Sequence, residues 1–209
     1  GTETAVLFGK YQLERVIGRG RSGTVFLARH LGLDEERAIK RVRRTESGFI
    51  QEAALLKRLR HPGIPIIYDL EIDENYYYLI EEYLCGESLY ARIERTGSLQ
   101  TGELIRLGIE LCRIMNYLHS FKPNPILYLD LHPGNLLICR EQLKLIDFDQ
   151  AALASLSQER SVCYGTKGFA APEQYEGGTL DERTDIYAIG ALLYYMGTGH
   201  APEGEIKAG

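Results

Sequence analysis

Between Tyr11 and Val42 apolar and polar residues alternate in the short runs YQLERVIGRG, TVFLARH and RAIKRV, separated by glycine-rich or charged breaks. A period of two residues predicts three antiparallel strands joined by tight turns. The period changes in SGFIQEAALLKRLRH, where Glu52, Leu55, Leu56 and Leu59 recur at i, i+3, i+4 and i+7. This is one face of a helix, and it places a carboxylate in an apolar stripe. IPIIYDLEI and YYYLIEEYL then return to strand texture around the turn Asp73-Glu74-Asn75, and Gly86 closes the second run. Five strands and one helix over residues 1–84 make a small first lobe.

The remainder, 85–209, is predicted to be mainly helical. In LIRLGIELCRIMNYLHS the residues Leu104, Leu107, Leu111, Met115 and Leu118 share one side, with Ile105, Ile109 and Cys112 adjoining it, so a long, central, buried helix is expected. LKLIDF reads as a short strand, 149–172 as a long loop, and ERTDIYAIGALLYYM as another largely apolar helix. No internal repeat interrupts this order, and the fold class is α+β with two lobes.

Composition narrows the function classes. The 209 residues are 44% apolar and 25% charged, as in globular domains, and the net charge of -5 argues against a nonspecific nucleic-acid binder. No run approaches the roughly 20 apolar residues that span a bilayer, and the N-terminus lacks a signal-peptide pattern, so a cytoplasmic chain without a membrane segment is expected. Cys85, Cys112, Cys139 and Cys163 lie far apart without metal-type spacing, and reduced thiols are expected.

Four stretches carry candidate chemistry. Gly18, Gly20 and Gly23 in GRGRSGTV suit a backbone that approaches a phosphate, although a plain hairpin uses glycine in the same way. Because TVFLARH follows as a strand, a dinucleotide fold is disfavoured. On a strand, Ala38, Lys40 and Val42 share a face, which sets an ammonium among apolar neighbours; Glu52 is a charge that makes such burial tolerable. YLDLHPGN, with Asp130, has turn composition. Asp147 in IDFD follows an apolar strand, and with Asn135 it offers hard oxygens for a metal. Each of these alone is an ordinary turn or surface feature.

Taken in order, glycine loop, strand lysine, helix glutamate, D-L-x-P-x-N and D-F resemble the motif set of protein kinases, here a eukaryotic-like Ser/Thr kinase of the bacterial type. GTKGFAAPE at 165–173 is similar to the end of an activation segment, and DIYAIG at 185–190 to the start of a central C-lobe helix. The resemblance implies a two-lobe kinase fold, ATP as substrate and magnesium or manganese as cofactor. It implies that Lys40, paired with Glu52, holds the α- and β-phosphates and that Asp130 accepts the proton of a protein Ser/Thr hydroxyl. Asn135 and Asp147 would bind the metal. The hinge residues Glu82 and Leu84 would border adenine, with Val25, Ala38 and Leu137 sandwiching the ring. Thr166 would sit against Asp130, and Asp185 would brace the catalytic loop.

Several positions depart from the resemblance. Leu129 replaces an arginine that reads activation-loop phosphate, leaving Ser155, Ser157 and Ser161 as acceptors with one cation fewer. Tyr128 stands for histidine and is expected to pack on Phe148. His132 stands for a lysine near the transferred phosphate, Asp149 for a glycine, and Glu81 for an apolar gatekeeper, where it is placed to compete with Glu52 for Lys40. The chain stops before the last C-lobe helices, so Glu173 lacks its arginine partner and the helix from Asp185 to Met196 loses cover, which predicts self-association through that surface. A nucleotide-binding pseudokinase or scaffold, and a small-molecule phosphotransferase, remain the alternatives; GTKGFAAPE argues against the second.

Overall fold

The computed structural model describes residues 5–20, 23–45, 49–154 and 165–203, without the side chains of Phe49 and Glu52. Ser155, Ser157, Ser161, Cys163 and the Glu52 carboxylate of the sequence reading therefore lie outside the described set. The chain forms two compact units, residues 1–60 with 65–85, and residues 61–64 with 86–209.

The first unit is built on a six-stranded sheet, order β1-β2-β3-β4-β6-β5, from Val6–Leu7, Tyr11–Arg19, Thr24–His30, Glu35–Arg43, Ile67–Ile72 and Tyr76–Glu82, all neighbours antiparallel. Helix α1, Phe49–Leu56, lies between β4 and β5 in sequence and is shorter than its apolar pattern, Leu59 being buried just beyond its end. Strand β1 has only two residues, too few to show a period. Strand alternation divides the sheet into two faces. Tyr11, Ala28, Ile39, Tyr78 and Ile80 form a buried cluster on one. On the other, Val25 is opposite Lys40, Lys40 opposite Leu79, and Ala38 lies between Leu27 and Glu81. The predicted Asp-Glu-Asn turn is fixed by Asp73, whose Oδ1 accepts from Asn75 N at 2.8 Å and Tyr76 N at 2.7 Å.

In the second unit, helix α2, Leu89–Thr96, starts where Ser88 Oγ accepts from Ala91 N at 3.0 Å and ends at Gly97, whose φ is 87°. Only Leu89 and Ile93 of α2 are buried, a stripe too thin to be noticed in the sequence. Helix α3, Thr101–His119, buries Leu107, Leu111, Ile114, Met115 and Leu118. The expectation of a buried helix is corrected on one side: Ile105 and Ile109 are 53% and 48% exposed, and Cys112 is exposed too, so among the described residues nothing covers that face of α3. Gly63 docks against that helix so closely that a Cβ there would meet Ile114 Cδ1 at 2.4 Å.

The short strands β7 (Glu87–Ser88), β9 (Leu136–Cys139) and β10 (Gln142–Leu145) form one small sheet, and β8 (Ile126–Leu127) with β11 (Ala152–Leu153) forms another. After helix α4, Pro172–Glu176, helix α5 runs from Glu182 to Thr198. Asp181 caps α5, with Oδ1 accepting from Arg183 N at 2.9 Å while Thr184 Oγ1 accepts from Asp181 N at 3.3 Å. Ala188, Ile189, Ala191, Leu192, Tyr195 and Met196 of α5 are buried, whereas Ile186 and Tyr194 are exposed. Among the described residues no helix is long and apolar enough to cross a membrane, and Cys85, Cys112 and Cys139 are free thiols.

Candidate active site

In the first unit the three glycines have different local reasons. Gly20 N donates to Gly23 O at 2.9 Å, closing the turn between β2 and β3. A Cβ on Gly23 would lie 2.0 Å from Arg41 O, so glycine is demanded there by the packing of β3 on β4. A Cβ on Gly20 would meet no described heavy atom within 4 Å beyond its chain neighbours, and one on Gly18 would meet only Val25 at ordinary contact distance. Of the three, Gly20 is thus the position whose openness suits an approaching ligand. Val25, Ala38 and Lys40 share one face of the sheet, as the alternation predicted, and Lys40 is only 7% exposed. Glu82 is tied into the sheet edge: its N–H donates to Ile66 O at 2.8 Å and its Oε1 accepts from Ile66 N at 3.2 Å. Leu84 follows two residues later, after β6 ends.

In the second unit Asp130, His132, Asn135 and Thr166 come together. Thr166 Oγ1 donates to Asp130 Oδ1 at 3.0 Å. Asn135 Nδ2 donates to the Asp130 carbonyl at 3.0 Å, with Asp130 Oδ2 at 3.4 Å, and Pro133–Asn135 forms a 3₁₀ turn that aims the amide back at the aspartate. His132 Nδ1 accepts from Gly134 N at 3.1 Å, which places the proton of the neutral ring on Nε2, 3.7 Å from Asp130 Oδ2. That separation is too long for a direct hydrogen bond. Burial pushes the Asp130 carboxyl above its ordinary value, with the Asp147 charge adding to this; His132 and the bonds from Thr166 and Asn135 oppose it.

The loop is braced from α5. Asp185, 1% exposed, accepts from Tyr128 N at 2.8 Å and from Leu129 N at 2.9 Å, and its Oδ2 lies 2.8 Å from His119 Nε2. Leu129 adopts φ 68°, a left-handed conformation unfavourable for a branched side chain, and Gln174 Nε2 holds its carbonyl at 2.8 Å. The Leu129 side chain packs with Leu127 and Leu180, the apolar position taken where an arginine was the comparison. His119 and Gln174 escaped the sequence reading. Their signal is faint: a histidine ends an apolar helix, and a buried glutamine follows APE.

Tyr128 packs edge-on against Phe148, centroids 5.2 Å apart, and its hydroxyl is shared between the carbonyls of Ile146 and Asp147, the latter at 2.7 Å. Asp147 has φ 61°, and its Oδ1 accepts from Asp149 N at 3.1 Å. Tyr128 thus fixes the backbone from which the Asp147 carboxylate projects. Glu173, expected to lack an arginine partner, accepts from Thr184 Oγ1 at 2.9 Å. Leu137 is half-buried on β9, opposite Ser88 and Lys144.

In the second unit, a half-buried aspartate held by a threonine and an asparagine, with a further aspartate after a core strand, has the residue types of the catalytic side of phosphoryl transfer; the first unit separately carries a glycine turn and a strand lysine. The chain belongs to the protein kinase domain family, which it matches over residues 11–208. It is 35% identical over 205 residues to the serine/threonine-protein kinase PrkC of Bacillus subtilis, an alignment covering 93% of this chain and 31% of that protein. It is also similar to the serine/threonine-protein kinase PknB of Mycolicibacterium smegmatis, 32% identical over 213 residues, 94% of this chain and 33% of that one. For the serine/threonine-protein kinase pkn3 of Myxococcus xanthus the identity is 30% over 213 residues, covering 92% and 38%. The chain therefore spans about a third of the length of these relatives. Kinase domains of this family use ATP and a divalent metal in general.

Proposed function

We propose that this chain is the catalytic domain of a Ser/Thr protein kinase that moves the γ-phosphate of ATP to hydroxyls of protein substrates or of itself, with magnesium or manganese. The observation that carries this reading is the Thr166–Asp130 bond of 3.0 Å, which joins the activation-segment sequence to the catalytic aspartate. One Asp130 oxygen is oriented by Thr166, and the group is positioned to orient an acceptor hydroxyl and take its proton as the phosphorus–oxygen bond forms. With its Nε2 proton directed toward Asp130, His132 lends partial positive charge, less than a lysine would.

The residues present fit a hard divalent ion. With Nδ2 of Asn135 turned to Asp130, its amide oxygen is left for coordination, and Asp147 supplies a carboxylate. Among the described residues no group of three or more His, Cys, Asp or Glu converges, so most ligands of such an ion would be phosphate and water oxygens. When bound, the metal would neutralise charge on the transferred phosphoryl group. Lys40, on the apolar face with Val25 and Ala38, is assigned to the nucleotide phosphates, and Glu82 and Leu84 to the adenine edge.

Asp149 favours one second reading, a nucleotide-binding module with little transfer, because it adds negative charge beside Asp147. Phosphate incorporation with magnesium or manganese, in the chain and in Asp130→Asn, separates the two. Incorporation that vanishes in the variant supports the kinase; nucleotide binding without transfer in either protein supports the module.

A further inference from the structure

Burying an ammonium requires an opposite charge or a large desolvation cost. Directly across from Lys40 are Val25 and Leu79, and its neighbours on the same face of β4 are Ala38 and Val42, all apolar. The diagonal positions hold Gly23 and Leu27 on the β3 side and Tyr77 and Glu81 on β6. Diagonal pairs lie about 7–8 Å apart at Cα and less at Cβ, a span that lysine and glutamate side chains close. Glu36 shares the face but sits four residues along the strand, with Arg29 Nη2 3.8 Å from its carboxylate. Glu71 and Asp69 are opposite Tyr78 and Ile80, on the other face. Half-buried Glu81 is thus the anionic side chain that the sheet register places beside Lys40 among the described ones.

We propose that Glu81 is a counter-ion of Lys40, fixed by the β4–β6 register. It restrains the amine from within the sheet, and it competes with nucleotide phosphate for the same charge. Glu81 is then a brake on nucleotide affinity built into the sheet, a consequence that rests on the nucleotide role proposed for Lys40.

The test uses the full 209-residue chain. The rate at which an amine-reactive ester acylates Lys40 is followed by peptide mapping in the parent, Glu81→Gln and, as a same-face control, Glu36→Gln; ATP affinity with magnesium is measured by calorimetry. Loss of a neighbouring carboxylate favours the neutral, nucleophilic amine, so Glu81→Gln should acylate roughly tenfold faster while Glu36→Gln matches the parent. ATP should bind Glu81→Gln several-fold more tightly. Equal Lys40 rates in Glu81→Gln and parent overturn the proposal. A faster rate with unchanged ATP affinity leaves the pair standing and removes Lys40 from the nucleotide site. If glutamine unfolds the sheet, Glu81→Met gives the same comparison with an apolar side chain of similar length.

Discussion

Thr166 and Asp130 lie 36 residues apart in sequence and meet in a 3.0 Å hydrogen bond from hydroxyl to carboxylate. The threonine restrains one oxygen of a carboxyl group that burial already disfavours in its charged form. Thr166→Val keeps the shape and removes the donor. Transfer to a protein substrate should fall at least tenfold, mainly in kcat, with nucleotide affinity unchanged; steady-state kinetics and calorimetry together check this.

Asp130 has its pKa raised above the ordinary aspartate value of 3.8, and the sign of the consequence follows from linkage. Its neutral form is favoured in the folded chain, so the associated stability is fully present below 3.8 and is lost as pH rises through the higher folded value. Asparagine is uncharged throughout and loses nothing. Asp130→Asn should therefore abolish transfer yet melt higher than the parent at neutral pH, and the difference should close as pH falls below 3.8. Thermal melts across pH check it; an acid limb of kcat above that value is the matching kinetic expectation.

Tyr128→Phe retains the edge-on contact with Phe148 and deletes the hydroxyl that meets Ile146 and Asp147. Loss of the bond should cost about 1 kcal/mol, since two part-buried carbonyls lose their donor. The magnesium concentration needed for half-maximal transfer should rise, since Asp147 loses the bond that fixes its backbone. A metal titration of both proteins reads the effect.

Gly20 and Gly23 make a contrasting pair. Gly23→Ala forces a Cβ onto Arg41 O and should destabilise the first unit by about 2–3 kcal/mol or prevent its folding. Gly20→Ala has open space, so its stability should change by less than about 1 kcal/mol, while ATP affinity drops if the turn approaches phosphate. Denaturation reads the packing role of Gly23, and calorimetry reads whether Gly20 borders a ligand.

The strands β2 to β6 and helices α3 and α5 were legible because each shows a clear period over many residues. The face shared by Ala38 and Lys40 followed from alternation alone. Helix α2 and strand β1 were not legible: one buries two side chains and the other has two residues. The exposure of Ile105, Ile109 and Cys112 shows a different limit, since periodicity reports which residues are apolar but not which of them another element covers. Motif order recovered Asp130, Asn135 and Thr166 as one cluster. His119 and Gln174 were missed because their roles depend on long-range contacts, to Asp185 on α5 and to the Leu129 carbonyl.

The Asp185 carboxylate has a temporal meaning. It receives two amides from a loop 56 and 57 residues earlier in the chain. On a ribosome, Asp130 leaves the exit tunnel well before α5 has been made, at a synthesis rate of about 5–20 residues per second. During those seconds Leu129 lacks the acceptor that holds its left-handed backbone, so the nascent chain carries its aspartate without the geometry that orients it. Assembly of α5 is the event that arms the loop.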